Sequence, residues 1–281
     1  MSVEEAWQRR ANSFGQGVEE YDRTRPGYPV ASVRWILGEG SQDVLDLGAG
    51  TGLLTRVLRE AGHRVFAVEP DAAMRKRIRV TAPGAEALTG DAESIPLPDA
   101  SVDAVLASHA YHWFEPEAAH AEMARVLRPG GVLACLWNLR DEEVPWSARL
   151  SVILADEDRG TDRNTAAAIM LHGALRALRT NDDRWLTGWL RDPDFGTEFG
   201  EIERGFFPHS VTKTMESLVA LVKSRSYYLT STSARQQELV DQVRELVATH
   251  PDLIGRREFE LPYVTVVFKA ARRPLRGNEG S

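Results

Sequence analysis

The sequence predicts an α/β fold, a mostly parallel sheet with helices on both faces, and three observations carry the prediction. Strand and helix signals alternate from residue 43 to residue 137, the pattern of a parallel sheet with helical crossovers. The apolar run Val44-Leu45-Asp46-Leu47 ends in Gly48-Ala49-Gly50-Thr51-Gly52 and leads into an amphipathic stretch with Leu53, Leu54, Val57 and Leu58 on one face. Strand, glycine turn and helix in that order hold nucleotide-like cofactors at the edge of a parallel sheet. Two further strand signals return late, at 203–209 and 263–269.

Each element has a local reason. The runs 44–47, 65–68, 85–88, 102–107 and 132–137 are short, apolar and bounded by turn residues, as buried strands are. Between them, 51–61, 71–81 and 115–127 carry helical spacing; Asp71 suits an N-cap and Pro116 a first helical turn. Arg128-Pro129-Gly130-Gly131 reads as a tight turn entering the fifth strand. Beyond Trp137 the alternation stops. Helical spacing recurs at 147–156, 166–179, 215–222 and 233–248, with an aromatic, turn-rich stretch over 185–199. The expected organisation is an N-terminal cap segment (1–40), a cofactor-binding core (41–140), a helical lid insertion (141–200), the remainder of the core sheet with lid helices (201–271) and a disordered tail (272–281).

Composition narrows the class. With 281 residues, 43% of them hydrophobic, the chain can bury one large core with a substantial cover. A net charge of −7 argues against a nucleic-acid partner, because phosphate binding draws on a basic surface. The lone Cys135 lies in an apolar strand and reads as a core thiol. Residues 1–5 lack the basic and apolar regions of a signal peptide, and no run approaches the roughly 20 apolar residues that span a bilayer. A soluble, cytoplasmic protein with no membrane partner is expected.

The glycine loop selects its ligand by what it lacks. A dinucleotide fingerprint needs a small residue where Leu53 stands, and a P-loop needs Gly-Lys-Ser/Thr. The second strand ends in Glu69, 19 residues past Gly50, where an acid can accept hydrogen bonds from ribose hydroxyls. After the third strand, Asp91 suits an adenine amino group and the Ala92 backbone a ring nitrogen.

These motifs, in this order, resemble the class I S-adenosylmethionine-dependent methyltransferases, in particular the broad type 11 group. Upstream, Phe14, Tyr21, Arg25-Pro26 and Tyr28-Pro29, with Ser108-His109-Ala110-Tyr111-His112-Trp113-Phe114 and Trp137-Asn138, resemble the trans-aconitate methyltransferase-like subgroup. The resemblance implies a Rossmann-like, mostly parallel seven-stranded sheet with a helical lid. It implies S-adenosyl-L-methionine as cofactor and S-adenosyl-L-homocysteine as product. By it, Asp46 with Gly48, Ala49, Gly50 and Gly52 holds the methionine part, and Glu69 the ribose. Asp91, Ala92 and Ile95 surround the adenine, Ser108 and His109 lie beside the methionine moiety, and Tyr21 and Arg25 close over the cofactor.

The implied reaction is in-line methyl displacement onto an O, N or C nucleophile of a small metabolite. The alternatives are a macromolecular acceptor, protein or RNA, and a non-catalytic S-adenosylmethionine-binding protein. An alcohol acceptor needs a general base, and His109 and His112 are the candidates. The blander reading has one lining the cofactor pocket and the other packing structurally. Asp141-Glu142-Glu143 follow the fifth strand, where metal-dependent O-methyltransferases hold Mg²⁺. The matching acid after the fourth strand is replaced by Ser108 and His109, so no metal is expected. Tyr227, Tyr228, Trp185 and Trp189 are candidate pocket walls, and the basic run 75–79 reads as a solvated helix face.

Overall fold

A computed structural model describes residues 24–155, 173–180, 194–225, 228, 229 and 231–274. The expectations at Phe14, Tyr21, Trp185, Trp189 and Tyr227 lie outside these. The elements run α1 (Val30–Leu37), β1 (Asp43–Leu47), α2 (Leu53–Glu60), β2 (Arg64–Val68), α3 (Ala72–Thr81), β3 (Glu86–Leu88), β4 (Val102–Ser108), a 3₁₀ turn (Tyr111–Trp113), α4 (Pro116–Val126) and β5 (Leu127–Arg140). There follow α5 (Pro145–Ala155), α6 (Ala174–Thr180), β6 (Glu203–Lys213), α7 (Met215–Lys223), α8 (Ser233–Thr249) and β7 (Phe259–Ala271).

The seven strands form one sheet in the order β3-β2-β1-β4-β5-β7-β6. The β1–β2, β1–β4, β2–β3 and β4–β5 pairs are all parallel. The register pairs Asp46 with Ala67 on one side and Leu106 on the other. Strand order reverses direction between β1 and β4, and ligands of open α/β sheets bind outside the carboxyl ends of strands at such a switch point.

Two compact units share the chain: one comprises Gly27–Asn138, Asp192–Phe207 and Thr265–Ser281, the other Met1–Pro26, Leu139–Arg191 and Pro208–Val264. In the first unit, Val33, Ile36 and Leu37 of α1 and Leu54, Val57 and Leu58 of α2 pack on Val44, Val65, Ala104, Leu106 and Leu136. The alternate strand positions Leu45, Leu47, Phe66, Val105, Leu133 and Cys135 are buried too, as a sheet covered on both faces requires. Cys135 is a fully buried core residue, and that burial pushes its thiol well above its ordinary range. Asp71 caps α3, accepting from the amides of Ala73 and Met74 at 2.8 Å each, and Pro116 opens α4.

Two elements differ from the sequence reading. Helix α1 has no polar cap to announce it and follows Pro29 directly. The Arg128-Pro-Gly-Gly stretch is a bulge inside a longer β5: Val102 pairs with Leu127 and Ala104 with Val132. Gly130 takes φ +77°, and a Cβ on Gly131 would sit 2.8 Å from the Asp103 carbonyl. Arg128 fastens the bulge by donating to Asp103 Oδ1 at 2.6 Å and Asp43 Oδ2 at 2.9 Å.

The second unit has its own apolar core. Trp146 and Leu150 of α5, Leu218 and Val222 of α7, and Leu239 and Val243 of α8 pack around Phe259, Leu261 and Tyr263 of β7, with Tyr228 half-buried against them. Thr214 and Ser217 form a capping box on α7.

Candidate active site

The carboxyl ends of β1, β2 and β4 gather most of the residues named from the sequence. Asp46, fully buried near the end of β1, accepts a hydrogen bond from the Thr55 hydroxyl at 2.6 Å through Oδ2. Its other oxygen, Oδ1, is buried with no hydrogen-bond partner among the described residues. Burial pushes the Asp46 carboxyl up to about 7; the Thr55 hydrogen bonds pull against that and the nearby Glu69 adds to it. Such a group is poised for a cation, since an unpaired buried carboxylate is costly.

Gly48, Gly50 and Gly52 all adopt positive φ. At Gly48 a side chain is disfavoured for a second reason: a Cβ would lie 2.6 Å from the Ala110 Cβ and 3.6 Å from the Phe114 ring. The loop after β1 therefore lies directly against the loop after β4. The amides of Gly48 and Ala49 both donate to the Val68 carbonyl, at 2.9 and 3.1 Å, which seats the turn on the end of β2. Glu69 fixes it from the same side, accepting from Gly50 N at 2.8 Å through Oε2 and from Asp71 N at 2.9 Å through Oε1. Burial raises the Glu69 carboxyl above its usual range.

Past β3, Asp91 is exposed while Ala92 and Ile95 are buried. Sequence reading missed the device that holds this stretch. Glu122 accepts from Ile95 N at 2.8 Å. Arg125 forks onto Glu122 at 2.6 and 2.7 Å and donates to the Ile95 and Leu97 carbonyls at 2.9 and 2.8 Å. The available signal was an acid and an arginine three apart on one helix face.

Ser108 ends β4 half-buried, and His109 follows at φ +50°. The Asn138 backbone N–H donates to His109 Nε2 at 2.9 Å. A backbone amide only donates, so Nε2 is unprotonated and its lone pair is engaged. His112 Nδ1 is buried without a hydrogen-bond partner among the described residues. Burial drives the His112 imidazole down to about 3, so it stays neutral and weakly basic. Tyr111 lies in a buried aromatic cluster, its hydroxyl 2.6 Å from His120 Nε2 and donating to the Asp194 carbonyl at 3.0 Å.

Arg25 belongs to the other compact unit, where Nη2 donates to the Ser224 carbonyl at 3.4 Å. The acids after β5 also have structural partners in that unit. Arg179 lies 2.6 Å from Glu143 and 3.7 Å from Asp141, and Glu142 accepts from Gly173 N at 2.7 Å. A cavity of about 350 Å³ opens elsewhere, at the amino ends of β1 and β4, lined by Ile36, Leu37, Gln42, Asp103, Arg128 and Val132. It lies on the sheet edge opposite Asp46, among the groups that hold the β5 bulge.

The residues at the switch point fit an amino-acid nucleoside. Asp46 Oδ1 would suit its ammonium, the three glycines of the 48–52 turn would admit close backbone approach, and Glu69 closes the neighbouring strand with a carboxylate able to accept from hydroxyls. With the seven-stranded sheet, these define the class: an S-adenosyl-L-methionine-dependent methyltransferase on the class I Rossmann-like fold. A methyltransferase domain model matches residues 45–135. The chain is 41% identical over 259 residues to an uncharacterized methyltransferase of Mycobacterium tuberculosis, covering 92% of this chain and 95% of that one. It is 31% identical over 269 residues to an uncharacterized methyltransferase-like protein of Schizosaccharomyces pombe, covering 94% and 97%. A solved structure from Anaeromyxobacter dehalogenans, provisionally assigned as a type II methyltransferase, superposes with a TM-score of 0.61 at 25% identity, covering 89% of this chain and 97% of that one. The chain belongs to this methyltransferase family. No helix among the described residues is long and apolar enough to cross a membrane.

Proposed function

We propose that this methyltransferase is a cytoplasmic enzyme that acts on a small metabolite and that its acceptor atom is a carboxylate oxygen. One observation carries the reading, the setting of the two histidines that follow β4. His109 Nε2 is engaged by Asn138 N–H, and His112 is held neutral and weakly basic by burial. An alcohol needs a base to become nucleophilic, whereas a carboxylate is nucleophilic at neutral pH without one. The likeness of the 108–114 and 137–138 segments to trans-aconitate methyltransferase-like proteins agrees with a carboxylate acceptor.

When bound, S-adenosyl-L-methionine would supply a sulfonium-activated methyl group, with S-adenosyl-L-homocysteine as the product. The protein's contribution is positioning. Asp46 would hold the methionine ammonium and Gly48, Ala49, Gly50 and Gly52 its backbone-facing side. Glu69 would hold the ribose, Asp91 and Ala92 the adenine, and Ser108 the methionine moiety.

The test is to incubate the full chain with methyl-labelled S-adenosyl-L-methionine and a panel of small di- and tricarboxylates, then treat the products with mild base. Carboxyl methyl esters release the label as volatile methanol. Base-stable label, or label found only on added protein or RNA, overturns the reading.

A further inference from the structure

Gly27, Asn138 and Thr265 lie more than a hundred residues apart in the sequence, and one side chain joins them. Asn138 Nδ2 donates to the Gly27 carbonyl at 3.0 Å, and Asn138 Oδ1 accepts from the Thr265 hydroxyl at 2.6 Å. Asn138 is buried and Thr265 fully so. The same residue's backbone N–H is the donor to His109 Nε2 at 2.9 Å, and His109 N returns a bond to the Leu136 carbonyl at 2.9 Å. His109 is thus pinned to β5 at both its amide and its ring.

That pinning has a use. His109 stands at φ +50°, a conformation that side-chain-bearing residues seldom take and that surrounding contacts must hold. Its neighbour Ala110 is the atom group against which Gly48 has no room for a Cβ. The turn at 109–110 therefore decides where the glycine loop sits.

We infer that His109 and Asn138 form a latch that positions the turn after β4 against the cofactor loop, with His109 acting as a hydrogen-bond acceptor and a positioning residue. Asn138 ties together three segments distant in sequence and presents one N–H; His109 receives it and is held in the left-handed turn. The inference rests on the reading of the β1 and β4 carboxyl ends as the cofactor site.

The test measures S-adenosyl-L-homocysteine binding by calorimetry on the full chain, which needs no acceptor. Glutamine places an acceptor at the reach of Nε2 but dislikes positive φ; asparagine tolerates positive φ but falls short of Asn138. The latch predicts that His109→Gln stays within threefold of the parent affinity and that His109→Asn loses at least tenfold. A role set by backbone conformation alone gives the reverse order and overturns the inference, as does equal binding by both. Thr265→Val should weaken binding three- to tenfold with Thr265→Ser restoring it, at unchanged far-UV dichroism; parent-like binding by Thr265→Val overturns the inference. Glu69→Gln separates the two layers. Its unimpaired binding would refute the cofactor site itself, whereas at least tenfold loss there beside a parent-like His109→Asn refutes the latch alone.

Discussion

Gly48→Ala is the sharpest perturbation of this site, because two costs coincide there and can be separated. The residue sits at φ +69° and its added methyl would lie 2.6 Å from the Ala110 Cβ, about 1 Å inside ordinary carbon contact. Left-handed backbone for an alanine costs about 1–2 kcal/mol, and overpacking of a fixed contact adds about 1–3 kcal/mol. Gly50→Ala is the internal control: it takes φ +58° but its methyl would meet nothing within 4 Å, so only the backbone cost applies. Chemical denaturation should place Gly48→Ala below Gly50→Ala in stability by about 1–3 kcal/mol. Adding Ala110→Gly should recover most of that gap, read as a coupling energy in a double-mutant cycle. Equal destabilisation by the two single variants, or no recovery on adding Ala110→Gly, would refute the contact between the β1 and β4 loops.

Two further outcomes follow from named groups. Asp46 rises from the usual carboxylate range to about 7 in the fold, so the folded chain holds a proton that the unfolded chain releases between about pH 4 and 7. Stability should fall as pH rises through that window, by about 4 kcal/mol at most, and stay low above it. Asp46→Asn should flatten the profile and raise the melting temperature at pH 8 while weakening S-adenosyl-L-homocysteine binding; a parent-like pH profile in the variant would sink the assignment. Arg125→Lys cannot reproduce the fork onto Glu122 and the two carbonyls. It should lower stability by about 1–2 kcal/mol and speed amide exchange across residues 95–99, and unchanged exchange there would remove the clamp from the account.

Much of the fold was legible because parallel strands buried on both faces read as short apolar runs. The runs over 44–47, 65–68 and 102–107 match β1, β2 and β4 to within one residue at either end. Asp71 was legible as a cap because a short acid before a helical stretch can satisfy amides nearby in sequence. Helix α1 was not legible: its commitment comes from Val33, Ile36 and Leu37 packing under β1, and it carries no cap signal. The extension of β5 back to Leu127 was not legible, because proline and glycines mark a turn and a register shift within a strand equally well. Only the pairing of Val102 with Leu127 and Ala104 with Val132 separates the two.

By itself the sequence determined the chain's class and the identity of its methyl donor. The motifs that carry the class lie near one another along the chain, a strand end, its glycine turn and the acid of the next strand. The surroundings of the histidines were set by tertiary structure. The sequence offers His109 and His112 as bases, but basicity belongs to an environment. Asn138, 29 residues on, takes the His109 lone pair, and burial strips His112 of its affinity for a proton. No local pattern encodes either fact, because hydrogen-bond partners and desolvation are set by whatever the fold brings alongside.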